Sequence, residues 1–134
     1  MQQLGGRAAP QKPLAVLVVE DEPYLRLSVA DSLRDADFQV FEAANSDEAI
    51  TILNEGCDIR LVCTDVNMPG AMDGYRLAAY VGAKWPSIKL IVTSGRVAPG
   101  ATDLPSSVPF LSKPYDTRRL VNVIAAMIAT EHPS

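Results

Sequence analysis

The sequence predicts an α/β fold, a doubly wound five-stranded parallel sheet with helices on both faces. Short apolar runs rich in Val, Ile and Leu recur along the chain without the polar alternation of half-wet strands, as expected of strands covered on both sides. Between them, apolar residues fall at helical spacing. Strands and helices that alternate in this way build parallel sheets through right-handed crossovers. The chain has 134 residues, which at roughly 150 residues per domain gives about one domain.

Residues 1–12 read as a disordered lead-in, 13–130 as the domain and 131–134 as a tail. Leu14–Val19 is the first buried strand. Glu22-Pro23 then places an acceptor at the N-cap and Pro at the first helical position, and a helix follows with Leu25, Val29 and Leu33 on one stripe. Gln39–Ala43 is a short strand. Asn45 and Glu48 form a capping box that opens a helix running to Glu55. Leu61–Thr64 is a strand ending at Asp65, and Asn67-Met68-Pro69-Gly70 is a loop by its Pro and Gly. A helix over Gly74–Lys84 offers Leu77, Ala78, Tyr80 and Val81 to the core. Leu90–Val92 is a strand closed by Thr93-Ser94-Gly95. Residues 96–109 hold three prolines, so any helix there is short and irregular. Val108–Leu111 is the last strand, and Lys113-Pro114 a turn. Asp116 or Thr117 then caps a helix over Arg118–Thr130 that buries Leu120, Val121, Ile124 and Ile128.

Twelve basic against sixteen acidic residues give a net charge of −4, which argues against a dedicated nucleic-acid binder. Eleven of the sixteen acids lie between Glu20 and Asp58. The single histidine, His132, excludes a His-based zinc or catalytic constellation, and Cys57 and Cys63 have no metal-ligand spacing. They read as small core residues of a reducing compartment. The N-terminal segment lacks the apolar stretch of a secretory signal, and Leu14–Val19 is far too short to span a membrane. A soluble, cytoplasmic protein with neither nucleic-acid nor membrane partners is the expectation.

In open α/β sheets the site lies at the carboxyl ends of the strands. Here those ends carry Glu20-Asp21, Asp65 and Thr93-Ser94, and the last strand runs into Lys113. Each has a plain structural explanation alone: acids complement a helix N-terminus, Asp65 suits a turn, Thr93 suits a strand and Lys113 suits a wet surface. Their joint arrival at one sheet edge is much harder to explain that way. Clustered carboxylates repel, so a cation should neutralise them, and all-oxygen ligands favour a hard ion such as Mg²⁺. A carboxylate beside Mg²⁺ can attack phosphorus to give an aspartyl phosphate. Metal, lysine and hydroxyl then stabilise the phosphoryl charge.

Five motifs carry a resemblance: Val18-Val19-Glu20-Asp21-Glu22, Asp65-Val66-Asn67-Met68-Pro69, Met72-Asp73-Gly74, Val92-Thr93-Ser94 and Lys113-Pro114. In this order and spacing, over about residues 14–130, the chain resembles the receiver domain of two-component response regulators. The resemblance implies the flavodoxin-like strand order 2-1-3-4-5. It implies Asp65 as phosphoacceptor and Glu20, Asp21 and Asp65, with the backbone carbonyl of Asn67, as holders of Mg²⁺ or Mn²⁺. Lys113 would contact the phosphoryl oxygens across a Lys-Pro bond that is often cis in the family, Thr93 would swing toward the phosphoryl group, and Phe110 takes the aromatic switch position. Phe110 lacks the hydroxyl of a Tyr, so no hydrogen bond can mark its outward state. The loop 70–74 is one residue longer than usual, and the stretch between Thr93 and Lys113 is short and proline-rich.

The implied function is a stand-alone, phosphorylation-dependent switch without a DNA-binding output domain, catalysing only its own phosphorylation and dephosphorylation. Its phosphodonor would be a histidine kinase or histidine phosphotransfer protein that meets Tyr24, Leu25, Ser28 and the Pro114 loop. Its downstream partner is a further, unidentified protein, and the resemblance also allows a dimer that forms on phosphorylation. Competing readings are a phosphorylation-independent interaction module and a receiver trimmed from a larger regulator or hybrid kinase. A haloacid-dehalogenase-type phosphatase needs a second acid where Asn67 stands, and a flavin-binding relative needs a phosphate loop after Val19. Trp85 follows the third helix rather than adjoining Asp65, so Mg²⁺ is expected to change its fluorescence little.

Overall fold

The computed structural model describes residues 13–56, 58–66, 73–94 and 108–129. Five strands, β1 (Ala15–Val19), β2 (Gln39–Ala43), β3 (Ile59–Asp65), β4 (Lys89–Ser94) and β5 (Phe110–Ser112), form one sheet in the order β2-β1-β3-β4-β5. Every pairing is parallel. Four helices occur among the described residues: α1 (Pro23–Asp35), α2 (Ser46–Asn54), α3 (Gly74–Lys84) and α4 (Thr117–Ala129). Most of the proline-rich stretch expected to hold at best a short, irregular helix lies outside the described residues.

The uninterrupted apolar run of β1 has a direct cause. Ala15, Leu17 and Val19 enter one core with Ala49 and Leu53 of α2 and Leu77, Ala78 and Val81 of α3. Val16 and Val18 point the other way, into a core with Val29 and Leu33 of α1 and Leu120, Ile124 and Ile128 of α4. Successive side chains leave opposite faces of a strand, so a central strand between two helical layers needs an apolar residue at every position. Each such Val or Leu withdrawn from water contributes about 1.5–3 kcal/mol before conformational entropy is counted.

Local signals set most element ends. The Glu48 N–H donates to Asn45 Oδ1 at 2.9 Å, and Glu48 Oε1 accepts from the Ala44 N–H at 2.8 Å, so the acceptor pair does open α2. At α4 the Arg118 N–H donates to Asp116 Oδ1 at 2.9 Å, which selects Asp116 over Thr117 as the capping side chain. Four expectations need correction. Glu22 is the N-cap of α1 but its side chain makes no capping hydrogen bond; Glu20 Oε2 accepts from the Glu22 N–H at 3.1 Å instead. β3 starts at Ile59, two residues early, because Ile59 pairs with Ala15 across an irregularity before the regular register begins. β5 is displaced to Phe110–Ser112, and Val121 is half-buried rather than buried.

The chain leaves β1 for β2 on one side and later returns to β3 on the other. The crevice at the carboxyl ends of β1 and β3 is therefore the point where the winding reverses, and such a point is where open α/β sheets place their sites.

Candidate functional site

β1 delivers Glu20 and Asp21 to that crevice and β3 delivers Asp65. Carboxylate oxygens of all three lie within 4.8 Å of one another, with Glu20 and Asp65 buried and Asp21 exposed. Backbone bonds fix the chain at Glu20 and beside Asp65. The Glu20 N–H donates to Ala43 O at 3.0 Å, and the Val66 N–H, next to Asp65, donates to Thr93 O at 2.9 Å. Arg26 Nη1 donates to the Glu20 carbonyl at 2.9 Å while its Nε donates to Glu42 Oε1 at 3.3 Å. Glu42 also accepts from Arg34 at 3.0 Å, so an ion-pair chain beneath β2 braces the acidic turn.

β5 brings in the cation. The Lys113 N–H donates to Ser94 O at 2.7 Å, extending the β4–β5 pairing, and the Lys113-Pro114 bond is cis. Lys113 Nζ stands 3.0 Å from Glu20 Oε1 and 3.3 Å from Asp65 Oδ1. Burial raises the Glu20 pKa, and the Asp65 charge adds to this, against the hydrogen bonds from Lys113 and the Glu22 N–H. Burial opposes the Lys113 charge, but the Glu20 bond and the charges of Glu20 and Asp65 prevail and raise its pKa. Cys63, buried two residues before Asp65, is pushed up to about 12 by burial and by the same two acids, which keeps it an inert thiol.

Three carboxylates thus face one ammonium. The excess negative charge is costly in a buried site, and a divalent cation offsets it. All donors are oxygens, and the exposed Asp21 side leaves room for water, so the set fits a hard ion such as Mg²⁺ or Mn²⁺.

Thr93 pairs in register with Asp65 and is buried. Glu20, Asp21, Asp65, Thr93 and Lys113 are therefore brought to one edge. Phe110, given the switch position by the resemblance, is half-buried against the core under α2 and α3. Asn67 lies outside the described residues. Sequence reasoning missed two contributors. Tyr115 reaches under the site, where its phenol shares a hydrogen bond with the Thr93 side chain, and burial raises its pKa above the usual tyrosine range. Gly74 sits so close to β3 that a Cβ there would collide with the Asp65 carbonyl oxygen and lie 2.6 Å from Val66 Cα. A hydroxyl-bearing aromatic two residues after Lys113 was a usable signal for Tyr115; Gly74 stood in the Met72-Asp73-Gly74 motif, but its backbone contact with β3 was not read from it.

Trp85 follows the far end of α3, whose first residue donates to Val66 O at 3.0 Å. Eleven helical residues, about 16 Å of axis, separate that end from the acids. The Trp85 ring is also fixed locally, by Lys84 Nζ at 4.9 Å and an edge-to-face contact with Tyr80. Saturating Mg²⁺ should therefore change Trp85 emission by no more than about a tenth; a fluorimetric titration with strong quenching would contradict this placement.

Comparison with known proteins agrees with the geometry. Residues 16–125 match the family model of the response regulator receiver domain. The chain is 35% identical over 117 residues to sensor kinase CckA of Brucella abortus, covering 84% of this chain but 12% of that kinase. It is 32% identical over 116 residues to the response regulator receiver protein CpdR of the same organism, covering 84% of this chain and 95% of CpdR. The chain spans less than two thirds of the length of several curated relatives. Among solved structures, response regulator TrrA of Thermotoga maritima, in complex with Mg²⁺ and BeF, is 25% identical with a TM-score of 0.74, over 85% of this chain and 98% of TrrA. A buried acidic pair facing a lysine across parallel strands, in a chain matched over most of its length, places this protein in the response regulator receiver domain family.

Proposed function

We propose that the chain is a phosphorylation-driven switch in which Asp65 accepts a phosphoryl group from a histidine kinase or histidine phosphotransfer protein. The observation that carries this reading is the convergence of Glu20, Asp21 and Asp65 around Lys113, next to the buried hydroxyl of Thr93. An Asp65 carboxylate oxygen attacks phosphorus, the bond from phosphorus to the donor imidazole nitrogen breaks, and the imidazole leaves carrying the electron pair. Glu20, Asp21 and Asp65 would hold a Mg²⁺, which would supply charge neutralisation at the phosphoryl oxygens. Lys113, already paired with Asp65, remains beside the new phosphate, and Thr93 donates to one of its oxygens. The added charge biases the sheet edge between two states, which a downstream protein reads.

The domain in this reading is residues 13–130, cytoplasmic, and catalyses nothing beyond its own phosphorylation and dephosphorylation. The likeness to the receiver protein CpdR, covered over 95% of its length, supports a receiver as the unit that carries this chemistry. Such a unit works either as a separate regulator or, as the likeness to a segment of CckA suggests, within a hybrid kinase. The size of the natural gene product distinguishes the two. The docking face is the turn at Pro114 with α1, where Tyr24 is 86% and Leu27 49% exposed.

Intact mass after incubation with acetyl phosphate tests the chemistry. The expected result is a gain of one phosphoryl group that requires Mg²⁺ and disappears in Asp65→Asn. No gain with any small phosphodonor would leave an interaction module that works without phosphorylation.

A further inference from the structure

Arg26 lies in the first turn of α1 and folds back on the acidic turn that precedes the helix. Its Nη1 donates to the Glu20 carbonyl at 2.9 Å, and its Nε donates to Glu42 Oε1 at 3.3 Å. A guanidinium is a rigid plane with donors in fixed directions, so two acceptors at once leave it little freedom. The Glu42 end is itself held by the sheet. Glu42 pairs with Val18 in the β1–β2 register, and its second oxygen accepts from Arg34 Nη2 at 3.0 Å. Arg34 also donates to Val40 O at 3.3 Å.

Glu20 is therefore tied to β2 from both of its peptide groups. Its N–H reaches Ala43 O at 3.0 Å, and its carbonyl reaches Glu42 through Arg26. That carbonyl belongs to the planar peptide joining Glu20 to Asp21, so its direction sets how the two carboxylates diverge. Charge alone argues against an arginine here, because a cation at the backbone of the acids repels a divalent ion. Glu42 offsets the charge of Arg26, and Asp31, 3.6 Å from Arg34, offsets the next one. Such a chain holds geometry while adding little field of its own.

Building on the reading of Glu20, Asp21 and Asp65 as the acids that hold Mg²⁺, we propose that Arg26 is a positioning residue for that ion. Fastened to Glu42, it fixes the Glu20–Asp21 peptide plane so that both carboxylates meet the metal.

The test is Mg²⁺ binding by the whole chain, measured calorimetrically where every variant is folded. Arg26→Gln removes one positive charge and the reach to Glu20. Acting by charge, Arg26 would hinder the ion and its loss would tighten binding; as a positioning residue, its loss weakens binding about tenfold, the low end for a group that orients a metal ligand. Arg34→Gln removes the same charge, leaves both Arg26 bonds in place and should keep the affinity within about twofold, as expected of a side chain 43% exposed. Arg26→Lys keeps the charge without the planar fork and should also weaken binding, which carries the test if Arg26→Gln does not fold. A merely structural role would lower the denaturation midpoint of Arg26→Gln without moving the Mg²⁺ affinity of the folded protein. Unchanged or tighter binding by Arg26→Gln, full affinity in Arg26→Lys, or an equal loss in Arg34→Gln would each overturn the proposal while leaving the acids as the metal site. If the unaltered chain binds neither Mg²⁺ nor Mn²⁺, the metal reading falls and the role of Arg26 falls with it.

Discussion

Gly74→Ala is expected to destabilise the protein by about 3 kcal/mol or more, at the upper end of what overpacking costs. The added methyl would meet backbone alone: the Asp65 carbonyl oxygen, Val66 Cα at 2.6 Å and the Asp65 carbonyl carbon at 2.7 Å. A side chain can rotate away from such a contact, but a strand backbone tied to its neighbours cannot. Relief must come from moving α3, which breaks the 3.0 Å bond from the Gly74 N–H to Val66 O and tilts the turn that presents Asp65. Urea denaturation should show the loss, and Mg²⁺ should bind the variant more weakly. A loss below about 1 kcal/mol would mean that α3 slides freely and does not brace the acceptor.

Lys113→Met should cost about 2–3 kcal/mol at pH 8 without divalent cations, somewhat under the figure for a fully buried ion pair because Lys113 remains 20% exposed. The substitution leaves Glu20 and Asp65 facing each other without their ammonium. The sign of the pH dependence follows from Glu20, whose pKa in the folded protein lies above the ordinary 4.5. A raised carboxyl pKa means that folding is favoured with the proton on. The stabilisation is fully present below 4.5 and is lost as pH rises through the folded value. The gap between Lys113→Met and the unaltered protein should therefore narrow as pH falls from 8 toward 4.5, where a neutral Glu20 no longer needs a cation. Mg²⁺ stabilises either protein, by about 2.7 kcal/mol at a hundred times its Kd, and at one fixed concentration it narrows the gap at pH 8 because the variant, without the competing ammonium, binds it more tightly. Denaturation midpoints at pH 5 and pH 8, each with EDTA and with Mg²⁺, check all three statements. A gap that does not vary with pH would remove Glu20 from the account.

The elements were legible where their causes are local. Asn45 and Glu48 open α2 through bonds within four residues of chain, and Asp116 opens α4 through a bond two residues away. Where a strand end depends on a partner strand, reading along the chain stopped short. Ile59 joins β3 because Ala15 lies beside it, and β5 begins at Phe110 because Val92 does. The same division runs through the site. Glu20, Asp21, Asp65, Thr93 and Lys113 were legible because each lies at the carboxyl end of an apolar run, a position that periodicity marks. Glu22 was misjudged as a capping side chain because a carboxylate two residues earlier, turned back by the fold, takes its N–H.

From sequence alone, then, come the α/β class, the two-sided burial of the central strands and the set of polar residues that share one edge. All three follow from the order of residues along the chain: the period of apolar positions dictates faces, and parallel strands dictate that their carboxyl ends meet. Tertiary structure alone decided which of those groups touch. Lys113 bridges Glu20 and Asp65 from 93 and 48 positions away, Arg26 supports the Glu20 carbonyl while paired to Glu42, and Gly74 is required by a backbone contact with no signature in its own neighbours. Strand parity sends Phe110 to one face of the sheet, and the turn after Lys113 carries the Tyr115 ring back to the other.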